Sequence, residues 1–580
     1  MDTLNKTLHT KPFKRFLGLL KLERKNVYYV YFYSIISGLM YLSLPLGVQA
    51  IVSLMSAQQL SASLVLLIVL VVLGVFLNGF MYILQMRVTE RIQVRIFTLI
   101  SLAYADRLPK LQEESINDYH LPELVNRFFD TSSIQKGISK ILLELPVASV
   151  QIIFGLILLS IYHPIFIFFG LMLVSVLYLV LKFTAPLGLS SSFEESDYKY
   201  KVGYWIEEIA RNIKTFKLRG KTDLALTKTN DYLSGYLKAR SKHFKILQIQ
   251  FWSFTFFKTA VTAVLLITGS CLFFKNQINI GQFIATEIVI IMTITSVEKI
   301  ITSIDGVYDL MTSLEKASKI LDKPIEQINK NGPYNLEKID IEINQLTFKY
   351  TDTDKNALSN ISLKIKQGEK IAIIGTKGSG KSTLMQLLTG TFTNYNGSIM
   401  INDLPYFSYN INQLRSKIGI YFSESEIFEG TLEENIIVGL PNCDVNDIMV
   451  LAERIKLKDF IIKNKDGIYQ ELSTHGKKLS DSIKAKILLT RAFIKKPKII
   501  LLDDFTYVLT RRDKNHITDF LFNSNQPNSI IIKTSDEEIM KKCDRVLFMH
   551  EGKIIADGSF DKIAATEEFK LISDELTELN

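Results

Sequence analysis

An apolar run, Lys370-Ile-Ala-Ile-Ile374, leads into Gly375, Thr376, Lys377, Gly378, Ser379, Gly380, Lys381, Ser382 and Thr383, and then into Leu384–Leu388. The spacing G-x-x-x-x-G-K-[ST] between a strand and a helix is phosphate chemistry. Glycines allow successive backbone N–H groups to converge on one anion at a helix N-terminus. Lys381 adds a point charge for the β- and γ-phosphates, and the Ser382 hydroxyl is a ligand for Mg²⁺. A chance glycine-rich turn would not carry the flanking strand and helix as well. A second carboxylate follows in Ile499-Ile-Leu-Leu-Asp503, a strand ending in an acid that can hold the same Mg²⁺ through water.

These residues need an α/β scaffold, and the chain after Lys323 has that pattern: short apolar runs alternating with amphipathic helical ones. The polar segment 322–334, with two prolines, reads as a linker, and 335–580 as the nucleotide-binding domain. Residues 26–321 are of another kind. No Asp, Glu, Lys or Arg occurs from Val27 to Met86, nor from Leu145 to Leu181. A helical span needs about 20 apolar residues, so the first run holds two spans turning near Ser56-Ala57-Gln58-Gln59. The second run holds two more, turning at His163-Pro164. Ile246–Phe274 and Gly281–Val297 are the fifth and sixth spans. The expected fold is thus a six-span α-helical transmembrane domain with long cytoplasmic extensions, followed by an α/β P-loop NTPase domain. A purely soluble protein is excluded, and the three cysteines form neither a disulfide framework nor a metal site.

The net charge of +9 reads as loops facing a lipid bilayer, with no nucleic-acid partner. Lysines and arginines crowd the segment 1–25 and the long connections near 87–140 and 182–245, whereas the opposite turns are nearly free of them. The positive-inside rule then puts both termini in the cytoplasm of a multi-pass protein. No cleaved leader is expected, because the first apolar stretch is too long and no small-residue cleavage site follows. Two charges lie inside spans, Lys258 and Glu287. Their different depths argue against a direct pair. Each either reaches toward water or contacts cargo.

Six spans followed by a P-loop domain resemble a half-transporter of the ATP-binding cassette exporter family, in its type I secretion and peptide-export branch. The resemblance extends to Phe348-Lys-Tyr350, Phe428-Glu-Gly-Thr-Leu-Glu-Glu-Asn435, Arg491-Ala492 and Asp544-Arg545. It implies ATP and Mg²⁺ as cofactors, with Tyr350 stacking on adenine and Ser480 clasping the γ-phosphate held by the opposite subunit. It also implies a second half-transporter chain as partner, identical or not, and a bacterial inner membrane as location. A periplasmic adaptor is a further partner the branch suggests, while fewer than 30 residues precede the first span, too few for an N-terminal peptidase.

Several positions depart from the family. Its Leu-Ser-Gly-Gly-Gln signature reads Leu479-Ser480-Asp481-Ser482-Ile483. Asp481 sets an anion where phosphate should land, and two like charges 4 Å apart cost roughly 4 kcal/mol at an effective dielectric of about 20. The catalytic glutamate becomes Asp504, one methylene shorter, a weak replacement for the base. The γ-phosphate-sensing glutamine aligns with Ser423, the switch histidine with Thr534 or Ser535, and a further aspartate with Thr510. Two readings follow. One is an exporter half that binds MgATP and hydrolyses it slowly. The other is a pseudo-ATPase acting as a structural or regulatory membrane component. A membrane-tethered GTPase or kinase would have neither the spans nor the Leu479-Ser480 segment.

Overall fold

The computed structural model describes residues 12–56, 62–116, 121–275, 277–329, 331–333, 336–351, 353–423, 426–441, 443–523, 528–566 and 569. The chain divides into two compact units, Met1–Leu111 with Tyr119–Pro324, and Gln112–Asp118 with Ile325–Asn580. The division at Pro324 falls inside the expected linker.

The first unit is helical. Six helical stretches among the described residues are long and apolar enough to span a membrane: Arg24–Ser56, Ala62–Lys110, Leu121–Tyr162, Ile165–Arg211, Leu224–Phe274 and Ile280–Leu321. The third and fourth break at His163-Pro164, as the sequence suggests. The turn expected after Ser56 lies outside the described residues. The first span is interrupted at Leu42, between helices Arg24–Tyr41 and Ser43–Ser56. Pro45 explains the interruption: it has no N–H to offer the Tyr41 carbonyl one turn earlier. Small residues let the spans approach closely. A Cβ on Gly155 would meet the Thr293 hydroxyl at 2.5 Å, the close contact that packs helices in lipid.

The intramembrane charges resolve differently from each other. Lys258 Nζ lies 3.0 Å from Glu298 Oε2, whereas Glu287 is exposed. The sixth span as read from sequence stopped at Val297, one residue short of the partner.

The strands of the second unit are, in chain order, β1 (Ile341–Phe348), β2 (Leu358–Ile365), β3 (Lys370–Gly375), β4 (Asn396–Ile401), β5 (Leu404–Pro405), β6 (Ile418–Tyr421), β7 (Gly430–Thr431), β8 (Glu471–Leu472), β9 (Ile499–Leu502), β10 (Ser529–Lys533), β11 (Arg545–His550) and β12 (Lys553–Gly558). They form a four-stranded antiparallel sheet, in order β2-β1-β4-β5, a six-stranded sheet, in order β12-β11-β3-β10-β9-β6, and the short pair β7-β8. β3, β6, β9, β10 and β11 run parallel. Their near-continuous apolar sequence follows from burial on both faces. Ile371, Ile373, Leu501 and Ile531 join one core with Leu384 and Leu388 of the helix after the P-loop. The alternate residues Ala372, Ile374, Leu502 and Ile532 join the other. Side chains alternate with period two, so a residue two after Leu501 or Ile531 continues toward the P-loop helix. Those residues are Asp503 and Lys533.

Candidate functional site

The parallel strands bring Gly375, Ser423, Asp503 and Lys533 to their shared C-terminal edge, where open α/β sheets bind ligands. The loop after β3 depends on its glycines. A Cβ on Gly375 would come within 2.0 Å of the Met549 carbonyl oxygen, and Gly380 sits at φ 92° with Ala357 O 2.5 Å from the same virtual atom. Helix Lys381–Leu388 begins directly after Gly380, so its first N–H groups face the loop. Lys381 Nζ donates to Gly375 O at 2.8 Å, Thr376 O at 2.6 Å and Ser379 Oγ at 3.1 Å. Burial, helped by the nearby charge of Lys533 and opposed by Asp503, brings its pKa down to about 8. Ser379 is buried, Lys377 is exposed, and the Thr376 hydroxyl lies 3.5 Å from His550 Nδ1. The P-loop residues read from sequence are therefore together in one place.

Tyr350 stands beside them. Its hydroxyl is 3.0 Å from Thr383 Oγ1 and its ring meets Phe348 and Phe392 edge-on. The tyrosine is thus fixed by protein contacts next to the P-loop helix.

The two expected Mg²⁺ ligands are already bridged by a cation that sequence reasoning missed. Lys533 Nζ lies 2.6 Å from Asp503 Oδ1 and 3.1 Å from Ser382 Oγ. Asp503 Oδ1 also accepts from the Asp504 N–H at 2.9 Å, and Oδ2 accepts from Ser423 Oγ at 2.7 Å. Burial alone would raise the Asp503 pKa, but the ammonium and the Ser423 hydroxyl outweigh it and hold the carboxyl below its ordinary value. Mg²⁺ requires near-octahedral oxygens at about 2.0–2.1 Å. An ammonium within hydrogen-bond reach of both ligands fills that position. The cavity lined by Ser382, Gln386, Ser423 and Asp503 is only about 20 Å³, roughly one water. As these side chains are arranged, the donor set does not fit the metal. A lysine ending the apolar run Ile530-Ile-Ile532 was the available signal. Reading it required knowing that β10 lies between β3 and β9.

Asp504 is also engaged. Its Oδ1 accepts from Thr506 N at 3.1 Å and Thr506 Oγ1 at 2.6 Å, and its Oδ2 from Ser535 N and Oγ, both at 3.3 Å. Of the two candidate switch positions, Ser535 is the one against Asp504; the Thr534 hydroxyl accepts from Asp536 N instead. Thr510 accepts from Asp513 N, starting the helix Arg511–Asn523.

Ser480 is the N-cap of helix Asp481–Ile494. Asp481 occupies the first turn, where the helix dipole favours an acid, and its Oδ1 lies 3.2 Å from Lys484 Nζ. The expected repulsion at Asp481 is therefore partly offset within its own turn.

A family model described as ABC transporter transmembrane region matches residues 27–297, and one described as ABC transporter matches residues 358–507. Lys533 lies beyond the second match. The chain is 27% identical over 384 residues to the uncharacterized ABC transporter ATP-binding protein YknU of Bacillus subtilis, covering 65% of this chain and 64% of that one. It is 26% identical over 476 residues to the mesentericin-Y105 transport/processing ATP-binding protein MesD of Leuconostoc mesenteroides, covering 80% of this chain and 64% of that one. The ATP-dependent lipid A-core flippase of Burkholderia orbicola matches at 26% identity over 50% of this chain and 49% of that one. The chain thus spans less than two thirds of the length of these relatives. In fold it is similar to a solved bacterial Atm1-family ABC exporter with ATP bound, at a TM-score of 0.82 and 18% identity, covering 95% of this chain and 98% of that one.

Proposed function

From the premise that the chain belongs to the ABC transporters, with an exporter's membrane region and ATP-binding domain in one polypeptide, we propose that it is one half of a dimeric exporter that binds ATP and turns it over slowly. The observation that carries this reading is the P-loop, whose glycines, N–H groups and Lys381 converge at the edge of the parallel sheet. The loop N–H groups and Lys381 hold the phosphates, and Tyr350 offers a ring beside them for the base. One P-loop and six candidate spans make half of such a machine, so a second chain, identical or homologous, completes each site with its Ser480 segment. The charge pattern supports cytoplasmic termini in a bacterial inner membrane. A periplasmic adaptor is a further partner proposed only on the resemblance of the sequence to the type I secretion branch.

The second reading, a nucleotide-binding component without appreciable turnover, is favoured by one specific arrangement. Asp504 spends its two carboxylate oxygens on Thr506 and Ser535, so it is not free to orient an attacking water. ATP binding and phosphate release measured on one purified full-length sample separate the two readings. Saturable binding with slow release dependent on Lys381 supports the first, and saturable binding with no release supports the second. Absence of binding at millimolar ATP removes both.

A further inference from the structure

We propose that Lys533 is the resident cation of the nucleotide site, so that the chain takes ATP as the metal-free anion in preference to its magnesium complex. The inference rests on the ATP-binding reading above and goes beyond it by naming the ionic form of the ligand.

Placement comes first. β10 lies between β3 and β9, pairing Lys533 with Ile373 and Ile532 with Leu502. A side chain leaving the C-terminal end of β10 on the Ile531 face therefore enters the gap between the P-loop and Asp503. Lysine is long enough to reach both, and it touches Ser382 and Asp503 at 3.1 and 2.6 Å.

A carboxylate has about four lone-pair sites, and Asp503 receives Lys533, Asp504 N, Ser423 Oγ and, at 3.4 Å, Ser423 N. No acceptor site is left to orient a metal-bound water. The Ser382 oxygen accepts from the ammonium, which leaves its O–H free to donate to a phosphate oxygen rather than to serve as a metal ligand.

A divalent ion normally offsets much of the triphosphate's negative charge. Here Lys533 and Lys381 face the same space: Lys533 Nζ lies 3.1 Å from Ser382 Oγ, and the Lys381 ammonium lies against the loop at Gly375 O, Thr376 O and Ser379 Oγ. Adding Mg²⁺ to that set would bring a third cation against two ammonium groups. The triphosphate alone relieves their repulsion. The site is complete for binding without metal.

The test is equilibrium dialysis of labelled ATP against the full-length protein in detergent or nanodiscs, in excess EDTA and in excess Mg²⁺. Wild type is expected to bind in EDTA within about threefold of its affinity in Mg²⁺. Lys533→Met, which keeps length and removes charge, is expected to bind about tenfold or more weakly in EDTA, the worth of one charge-assisted contact, and to recover with Mg²⁺. Lys533→Arg should retain metal-free binding. The proposal is overturned, with the nucleotide reading intact, if wild type binds about tenfold more tightly in Mg²⁺ than in EDTA. It is equally overturned if Lys533→Met matches wild type in EDTA. Should Lys533→Met fail to fold, the wild-type comparison and Lys533→Arg still decide. Absence of binding under every condition removes the nucleotide reading and this proposal together.

Discussion

Nucleotide binding should weaken as pH rises through the pKa of Lys381. Only the ammonium form attracts phosphate, and burial with the charge of Lys533 brings that pKa to about 8 against the pull of Asp503. The other groups facing the ammonium are the uncharged Gly375 and Thr376 carbonyls and the Ser379 hydroxyl. The sign follows from a lowered lysine pKa: the charged form dominates below about 8 and is lost above it. Near pH 7 about nine in ten lysines carry the charge, and near pH 9 about one in ten, so the dissociation constant should rise roughly tenfold between them. A lysine with an ordinary pKa near 10.4 would give a nearly flat profile over the same window.

The assay is a fluorescent-ATP titration at constant ionic strength, since salt alone weakens such contacts. Lys533→Met should move the falling limb to higher pH by removing one of the influences that lower the Lys381 pKa. In calorimetry, binding above pH 8 should take up a proton from buffer. A dissociation constant unchanged from about pH 7 to 9.5, in a protein whose binding Lys381→Ala abolishes, would refute the reasoning.

Three further expectations concern assembly and packing. Gly375→Ala forces a Cβ to within 2.0 Å of the Met549 carbonyl at φ 141°; it should cost about 3 kcal/mol of domain stability and abolish ATP binding, with an unshifted unfolding midpoint counting against it. Arg15, whose side chain is 7% exposed, is paired with Asp322 at 2.6 Å and with Glu315 at 3.3 Å. Arg15→Ala should cost about 1–2 kcal/mol after allowing for the partners' exposure, seen as a lower thermal midpoint in detergent. The active form should be a dimer by mass measurement in nanodiscs, and a monomer retaining full activity would contradict the half-transporter reading.

Local signals were legible in the sequence and long-range ones were not. The P-loop is contiguous, so its residue types and its strand-loop-helix setting were both visible. The spans were visible as uncharged runs, and the hairpin at His163-Pro164 fell where polarity and proline coincide. Lys533 was hidden because its role depends on strand order: nothing local shows that β10 is inserted between β3 and β9. Glu298 escaped for a different reason, since a hydropathy limit drawn at Val297 cut off the neighbour that Lys258 reaches. Lys484 lies three residues after Asp481, a spacing that faces the same side of a helix, and could have tempered the repulsion argued for that position. Sequence alone left Thr534 and Ser535 as alternatives. Backbone geometry separates them by turning only Ser535 toward Asp504.

The side chains around Asp503 form one electrostatic unit, and under the slow-turnover reading proposed above this sets how phosphate release should respond to substitution. Lys533 occupies the near oxygen of Asp503 and Ser423 the far one, while the Asp504 N–H donates to the same near oxygen as Lys533. Asp504→Glu alone adds a methylene to a residue whose neighbour remains locked to an ammonium. It should raise phosphate release by less than about tenfold. Lys533→Met alone opens Asp503 to a divalent ion but leaves Asp504 bonded to Thr506 and Ser535, so its effect on turnover should be equally small. Asp504→Glu alters Asp504 itself and Lys533→Met frees its neighbour Asp503, so both act within one site, where additivity fails. The double variant in Mg²⁺ should therefore exceed the product of the single effects. A double variant equal to that product would show that Lys533 and Asp504 limit turnover independently, and the single-unit view would be wrong.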